Sequence, residues 1–257
     1  MQQLIWNADP VAFSLGGVEV FWYGILFATA ILSGLEFMKW AYKKESKEAQ
    51  QLDTLFLYVV IGVVIGARLG HCFFYEPDYY LSNPLEILYV WKGGLASHGG
   101  GLGALLGILL YRYRHSLELL WFLDRIAIAT AIFAFFVRLG NFMNSEILGR
   151  PTELPWGVVF TKVDLLPRHP VQLYEAFSYL FIALVLFVVY KRFQARFKDG
   201  FLFGLFLVLV FVVRFLLEFV KERQADYSAD ILLSTGQLLS IPFILFGIFL
   251  IYKALKK

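Results

Sequence analysis

The chain has 257 residues, of which 59% are hydrophobic and 17% are charged, and its formal net charge at pH 7 is +3. Its mean hydropathy of +0.67 is typical of a protein whose main solvent is lipid rather than water. This composition indicates an integral membrane protein and excludes a strongly basic nucleic-acid-binding protein, so no nucleic acid is expected as a partner.

Apolar runs near the ~20 residues needed to cross a bilayer recur along the chain. They predict about seven transmembrane helices, at residues 17–38, 52–75, 94–111, 119–137, 173–190, 201–220 and 230–252. We therefore predict an all-α, polytopic integral membrane protein in which residues 1–257 form a single transmembrane domain. Extracytoplasmic segments are expected at about 76–93 and 138–172.

Lysine and arginine are concentrated in the short loops that follow the first, third, fifth and seventh apolar runs. Loops rich in these residues stay in the cytoplasm during membrane insertion. The pattern predicts an N-terminus outside the membrane and a C-terminus in the cytoplasm. Basic residues on the opposite side, such as Arg68, Arg138 and Arg214, break the pattern and need a local reason.

Polar side chains from several apolar runs are expected at a similar depth near the outer side. At ~1.5 Å of rise per residue, four of them lie roughly 6–10 Å inside the outer ends of their runs: Tyr23, Arg68, His98 and Arg214. Arg138 closes the fourth run on the same side. An arginine that faced lipid there would cost ~2.5–3.5 kcal/mol on insertion scales, so these groups are expected to share a polar cavity.

A structural interpretation is open for each of these residues. Arg214 and Glu218 are four apart and could form only an ion pair on one helix face. Arg138, at a helix end, could extend toward the headgroups, and His98 could pack through a hydrogen bond. Close helix contact is the structural alternative for the glycines that follow, Gly99, Gly100, Gly101, Gly103 and Gly107. These alternatives do not explain why polar side chains from several apolar runs are expected at a similar depth.

Arginines combined with a histidine and amide side chains suit an anionic phosphate, and a site at headgroup depth suits one that carries acyl chains. A membrane phospholipid is therefore the predicted substrate. The sequence contains no P-loop, no His-Glu-x-x-His helix and no Gly-x-Ser-x-Gly motif, so neither a metal nor a cofactor is expected. The single cysteine, Cys72, has no disulfide partner and is expected to pack as a small apolar residue.

The stretch RLGNFMNSEILGR, residues 138–150, resembles the signature of the bacterial prolipoprotein diacylglyceryl transferases. Shorter matches occur in that family's order: WYG at 22–24, GARLGHCFFY at 66–75, HGG at 98–100, HPVQLYEA at 169–176 and RFLLE at 214–218. The resemblance implies an enzyme of the bacterial cytoplasmic (inner) membrane whose active site faces the outer leaflet. It would transfer the diacylglyceryl group of phosphatidylglycerol to the lipobox cysteine thiol in a prolipoprotein signal peptide and release glycerol phosphate.

The resemblance, together with the chemistry of this transfer, implies roles for individual residues. The predicted catalytic residues are His98, Arg138 and Arg214. The predicted substrate-binding residues are Tyr23, Arg68, Asn141, Asn144, Glu146, Gly149 and Glu218. The arginines would bind the departing phosphate, and Glu146 is expected to orient an arginine. His98 is either the base that takes the thiol proton or a lipid contact.

Two questions stay open at this level. Lys221 stands where the family often has a further arginine, and a lysine lacks bidentate guanidinium geometry, so its role is undecided. A lipid or anion transporter is the alternative function for a basic cavity. Transporter sites lie at the bilayer midplane between related halves, whereas the polar level here is off-centre and no repeat is visible. A purely structural scaffold does not account for Arg214 or His98.

Overall fold

Helices form most of the structure. This computed structural model describes residues 3–193, 196–222 and 233–256. The α-helices in this part are α1 (Trp22–Lys44), α2 (Ala49–Phe74), α3 (Pro77–Ser82), α4 (Ser97–His115), α5 (Leu119–Met143), α6 (Val171–Phe193), α7 (Phe201–Leu217) and α8 (Thr235–Leu255). The short strands are β1 (Leu4–Trp6), β2 (Val11–Leu15), β3 (Val18–Phe21), β4 (Val158–Phe160) and β5 (Pro167–Arg168).

Five helices of the described chain are long and apolar enough to cross a membrane, namely α1, α2 from Gln50, α5, α6 and α8. Helix α7 is also apolar but shorter, and α4 is rich in glycine. The prediction of a helical, multi-pass membrane protein is therefore confirmed. The count of seven spans and the orientation of the termini stay predictions, and the start of the last predicted span, 230–232, lies outside the described residues.

A β-hairpin precedes α1 and corrects the predicted start of the first span at residue 17. Strands β2 and β3 pair antiparallel, and the two residues between them, Gly16 and Gly17, have φ values of 58° and 85°. A two-residue turn with positive φ at both positions matches the twist of a hairpin and favours glycine. Helix α1 therefore starts at Trp22, and Tyr23 lies in its first turn rather than well inside it.

The helix ends also correct the depths expected for His98 and Arg214. Helix α4 starts at Ser97, so His98 lies in its first turn. Helix α7 ends at Leu217, so Arg214 lies in its last turn. Both side chains therefore lie at helix termini, where unpaired backbone groups already create a polar environment.

The chain forms two compact units, which are described one at a time. Unit one comprises Met1–Met38 and Leu123–Lys257, and unit two comprises Lys39–Phe122. The single transmembrane domain expected over residues 1–257 stays a prediction.

In unit one, a three-stranded sheet anchors the polar loop that follows α5. Strand β1 runs parallel to β4, and β4 pairs antiparallel with β5. Phe142 and Leu148, at the two ends of the loop, are buried with Val158 and Phe160 of the sheet. The ring of Trp6 packs 4.3 Å from that of Phe142, measured between centroids. This apolar contact holds the segment that carries the signature residues.

Unit one also fixes the start of α7, the helix that carries Arg214. The buried Asp124 carboxylate of α5 accepts hydrogen bonds from the backbone N–H groups of Gly200 and Phe203, at 2.9 and 2.8 Å. An anion that accepts from free N–H groups stabilises a helix N-terminus. This cap was not predicted from the sequence, because Asp124 is far from α7 along the chain.

In unit two, α2 and α4 pack along a seam of glycines. An added Cβ atom at Gly62 or Gly103 would overlap the backbone carbonyl of the other residue, and the same holds for Gly66 and Gly99. The two backbones are thus in direct contact, as small residues permit between membrane helices. The packing interpretation is confirmed for Gly99 and Gly103, whereas Gly101 faces open space.

We expect Gly103→Ala to destabilise unit two by about 1–3 kcal/mol, because the new methyl group would force the two backbones apart. Gly101→Ala on the same helix is the matched control, since its Cβ would meet nothing within 4 Å. That control should be neutral or stabilising by up to about 1 kcal/mol through helix propensity. Thermal unfolding in detergent measures both changes. Equal melting temperatures of the two variants would contradict direct backbone contact between α2 and α4 at Gly103.

Candidate functional site

Arg138 forms an ion pair with a carboxylate that was not predicted from the sequence. It lies in α5, which continues to Met143, beyond the predicted end of the span at residue 137. Its Nε lies 2.7 Å from Oε2 of Glu175 in α6, and its Nη1 donates to Oδ1 of Asn141 at 3.1 Å. Glu175 is 2% exposed, so the pair is largely desolvated. The guanidinium is thus held from two sides.

Lys221 approaches the same carboxylate from the segment after α7. Its Nζ lies 3.7 Å from Oε1 of Glu175. Burial is the largest of the effects that lower the pKa of Lys221, while the Glu175 carboxylate opposes it. The other charges that act on this ammonium group are those of Arg138, Arg214 and Glu218. Three cations therefore face two carboxylates here, which favours an anionic ligand.

The loop after α5 joins two amides to one carboxylate. Asn141 donates to Oε2 of Glu146 at 3.2 Å, and Asn144 donates to Oε1 at 3.0 Å. Asn141 therefore bridges Glu146 and Arg138. Glu146 was expected to orient an arginine, and its contact with Arg138 is indirect. The side-chain amide of Gln172 in α6 donates to the backbone carbonyl of Glu146 and ties the loop to that helix.

Three side-chain oxygens of this network are buried and have no hydrogen-bond donor among the described residues: Oδ1 of Asn144, Oε1 of Gln172 and Oε2 of Glu175. The last of these is close to Arg138, but its contact is an ion pair without a well-directed hydrogen bond. Buried oxygens normally accept at least one hydrogen bond. The oxygens of Asn144 and Gln172 are therefore available to hydroxyl or N–H groups of a ligand, whereas Oε2 of Glu175 is engaged by the ion pair with Arg138.

Gly149 places the signature loop against two other segments. Its N–H donates to the carbonyl oxygen of His169 at 3.1 Å, and an added Cβ would overlap that residue. On its other side, Gly149 forms an antiparallel bridge with Lys221, and the N–H of Arg150 donates to the carbonyl of Val220 at 2.9 Å. This pairing holds Lys221 beside the loop. Direct substrate binding by Gly149 stays a prediction.

Tyr23 packs against the turn of α5 that carries the signature. An added Cβ at Gly140 would come within 2.8 Å of Cδ2 of Tyr23, so the ring covers this glycine. The ring also stacks on Phe27, with 6.2 Å between centroids. The structure thus brings Tyr23 next to the turn that contains Arg138 and Asn141, although its contact with a substrate stays a prediction.

Glu218 follows the last residue of α7 and contacts the start of α8. Its Oε1 accepts a hydrogen bond from the Ser234 hydroxyl at 3.0 Å, and its carboxylate lies against Gly236. An anion is favoured at a helix N-terminus. The carboxylate is thus engaged by α8, whereas the charge of Arg214 acts on Lys221. The catalytic role of Arg214 and lipid binding by Glu218 stay predictions.

The two predicted site residues of unit two have different surroundings. Arg68 is 3% exposed, and its guanidinium nitrogens donate to backbone carbonyl oxygens, those of Glu86, Ile87, Gly93 and Gly94. These bonds hold the segment between α3 and α4, which supports a structural role, and substrate binding by Arg68 stays a prediction. His98 is exposed, and its catalytic role stays a prediction. Cys72 is fully buried, as expected of a packing residue.

Glu175 and Gln172 are the site residues that sequence reasoning missed. They lie three residues apart, which places them on one face of α6. An acid and an amide in an apolar run were a usable signal in the sequence, because such residues are rare in membrane spans without a function. His169 precedes them, with its Nδ1 3.3 Å from the Tyr174 hydroxyl, and burial lowers the pKa of its imidazole.

Comparison with known proteins gives a consistent result. Residues 10–253 match the protein family described as prolipoprotein diacylglyceryl transferase. A Tolumonas auensis protein named phosphatidylglycerol–prolipoprotein diacylglyceryl transferase is 52% identical over 99% of this chain and 98% of its own length. Proteins of the same name from Chloroherpeton thalassium and Porphyromonas gingivalis are 49% and 44% identical, over 99% and 98% of this chain and 95% of their own lengths.

Proposed function

This chain belongs to the prolipoprotein diacylglyceryl transferase family, and we propose that it transfers the diacylglyceryl group of phosphatidylglycerol to the lipobox cysteine thiol of a prolipoprotein signal peptide. The observation that carries the proposal is the cluster of Arg138, Glu175 and Lys221 beside the signature loop. We place the reaction at the outer leaflet of the bacterial inner membrane, where membrane lipid supplies the donor.

The charge of the site supports a phosphodiester as ligand. Three cations act on one region of unit one, those of Arg138, Arg214 and Lys221. Guanidinium groups bind phosphate oxygens through two parallel N–H bonds, and an ammonium group adds a point charge. We therefore propose that the two arginines clamp the phosphate and that the lysine completes its neutralisation.

The unpaired oxygens of the site support a headgroup that carries hydroxyl groups. Oδ1 of Asn144 and Oε1 of Gln172 are buried acceptors that lack a donor among the described residues. The glycerol headgroup of phosphatidylglycerol has two hydroxyl groups that can donate to such oxygens. A site whose acceptors are left without donors discriminates strongly against a ligand that cannot supply them.

The transfer forms one S–C bond and breaks one C–O bond. The cysteine thiol loses its proton to a base, for which His98 is the proposed residue. The thiolate sulfur then bonds to the glyceryl carbon that bears the phosphate, and the electron pair of the C–O bond leaves with glycerol phosphate. Cations that face the phosphate stabilise the departing charge. The reaction balances without a cofactor, because the phosphate ester is itself the leaving group.

The direct test uses purified protein in phosphatidylglycerol vesicles with a lipobox peptide. We expect peptide and lipid to yield a thioether-linked diacylglyceryl peptide and an equal amount of glycerol phosphate. Vesicles of phosphatidylethanolamine should give at least about 10-fold less product, because that headgroup changes both charge and hydrogen-bonding groups. A peptide that stays unmodified with both lipids would contradict the proposal.

The same assay tests the side of the membrane. Right-side-out vesicles from cells expose the outer leaflet to a peptide that cannot cross the bilayer. Conversion of this peptide in sealed right-side-out vesicles is the expected result. Conversion only after the vesicles are inverted or opened would contradict the proposed orientation.

A further inference from the structure

Glu175 occupies a central position among the charges of unit one. Each of its carboxylate oxygens faces one cation, with Oε2 2.7 Å from Nε of Arg138 and Oε1 3.7 Å from Nζ of Lys221. Those cations come from different elements, α5 and the segment after α7, whereas Glu175 belongs to α6. A single buried side chain thus links three parts of the fold.

Burial of a carboxylate is unfavourable, because only well-placed cations offset its lost hydration. Here the cations also repel one another: Arg138 and Arg214 both disfavour the charged form of Lys221. Glu175 reduces this repulsion between the groups that we assign to the phosphate. Glu175 therefore contacts the cations, which leaves contact with a phosphate to the cations themselves.

We propose that Glu175 is a positioning residue that holds Arg138 and Lys221 in the geometry that binds one lipid phosphate. This inference rests on the proposed function and goes beyond it, because it gives Lys221 a role in headgroup binding and gives Glu175 a role without substrate contact. In the absence of the carboxylate, Arg138 would lose the partner of its Nε, and Lys221 would lose the carboxylate oxygen that lies 3.7 Å from its Nζ.

The test measures binding of phosphatidylglycerol in detergent against pH, without peptide, for wild type and Glu175→Gln. The variant keeps the side-chain shape and removes the charge. We expect its lipid affinity at neutral pH to fall about 10-fold, as for loss of a hydrogen-bonded charged partner. Glu222→Gln is the matched control: Glu222 pairs with Arg168 on the same loop edge, and its loss should leave lipid affinity unchanged.

The pH profile separates positioning from a general structural effect. The charged groups that face Lys221 are Glu175, Glu218, Arg138 and Arg214. Loss of the Glu175 charge lowers the pKa of Lys221 further, so the ammonium group deprotonates at lower pH than in wild type. Lipid affinity should therefore also be lost at lower pH. The Lys221→Met variant has no ammonium group at this position. Adding Glu175→Gln to it should therefore leave unchanged the pH midpoint at which lipid affinity is lost.

Lipid affinity and a pH midpoint for Glu175→Gln that match wild type would overturn the inference. So would a shift of the midpoint that persists in the Lys221→Met background. If Glu175→Gln does not fold, Lys221→Met alone decides the matter, because unchanged lipid affinity in that variant would also overturn it. A wild-type protein that binds phosphatidylglycerol but does not modify the peptide would refute the transferase proposal alone, since the binding measurement does not depend on transfer.

Discussion

Arg138→Lys should reduce the transfer rate about 100-fold while leaving the protein inserted and folded, since small misplacements of a catalytic group have effects of that size. The guanidinium contacts Glu175 through Nε and Asn141 through Nη1, and it must still present N–H groups to a phosphate. A lysine keeps the charge but lacks the planar fork that satisfies several partners at once. Peptide lipidation under saturating phosphatidylglycerol measures the loss.

Arg150→Lys is the matched control for this prediction. Arg150 is exposed in the same signature, and its side chain donates to a backbone carbonyl, that of Lys221. The control should keep most of its activity, and both variants should melt near the wild-type temperature. Near-normal turnover of Arg138→Lys would reduce Arg138 to a structural partner of the buried Glu175 carboxylate.

His98→Gln should lower the transfer rate about 100-fold or more at neutral pH if the imidazole is the general base. Glutamine can replace a hydrogen bond but cannot accept a proton, so phosphatidylglycerol binding should persist. The wild-type rate should fall on acidification, because protonation of the base removes its function. The residual rate of the variant should rise as pH approaches ~8.5, where the substrate thiol ionises unaided. Lipidation of the peptide across this pH range provides the measurement.

His169→Gln is the informative comparison for His98. Burial lowers the pKa of the His169 imidazole, which favours its neutral form, and a neutral imidazole can accept a proton. We expect its replacement to leave the acidic limb of the rate profile in place. If that limb disappears in His169→Gln and persists in His98→Gln, the base is His169 and His98 is a lipid contact.

The helical class and the positions of the long helices could be predicted from the sequence, because apolar runs of membrane length are a strong and local signal. Local turn chemistry was also present but was overlooked. The pair Gly16 and Gly17 between alternating segments indicated the hairpin before α1. The first span was therefore placed five residues too early, at residue 17 instead of Trp22.

The partners of the site residues were harder to predict, because they depend on packing between distant parts of the chain. Glu146 is near Arg138 in sequence and was expected to orient an arginine, but the ion pair of Arg138 is with Glu175 on another helix. Arg68 was assigned to a shared polar cavity, and its guanidinium instead meets backbone carbonyls of the segment between α3 and α4. A charge in an apolar run indicates that a partner exists, but not which one it is.

The glycine seam between α2 and α4 has a consequence for how these helices align. Its members recur every four residues on both sides, Gly62, Gly66 and Gly70 against Gly99, Gly103 and Gly107. A slide by four residues, about 6 Å at the rise of an α-helix, would again place glycine opposite glycine. The seam alone is therefore compatible with more than one alignment.

The connection between the helices removes this ambiguity. The N–H of Ala96 donates to the carbonyl of Ala67 at 2.9 Å, and the neighbouring Arg68 donates to two carbonyl groups within the connecting segment, those of Ile87 and Gly93. Either set of bonds would break if α4 slid by one step. The glycines permit several alignments of α2 and α4, and the hydrogen bonds of Arg68 are compatible with only one of them.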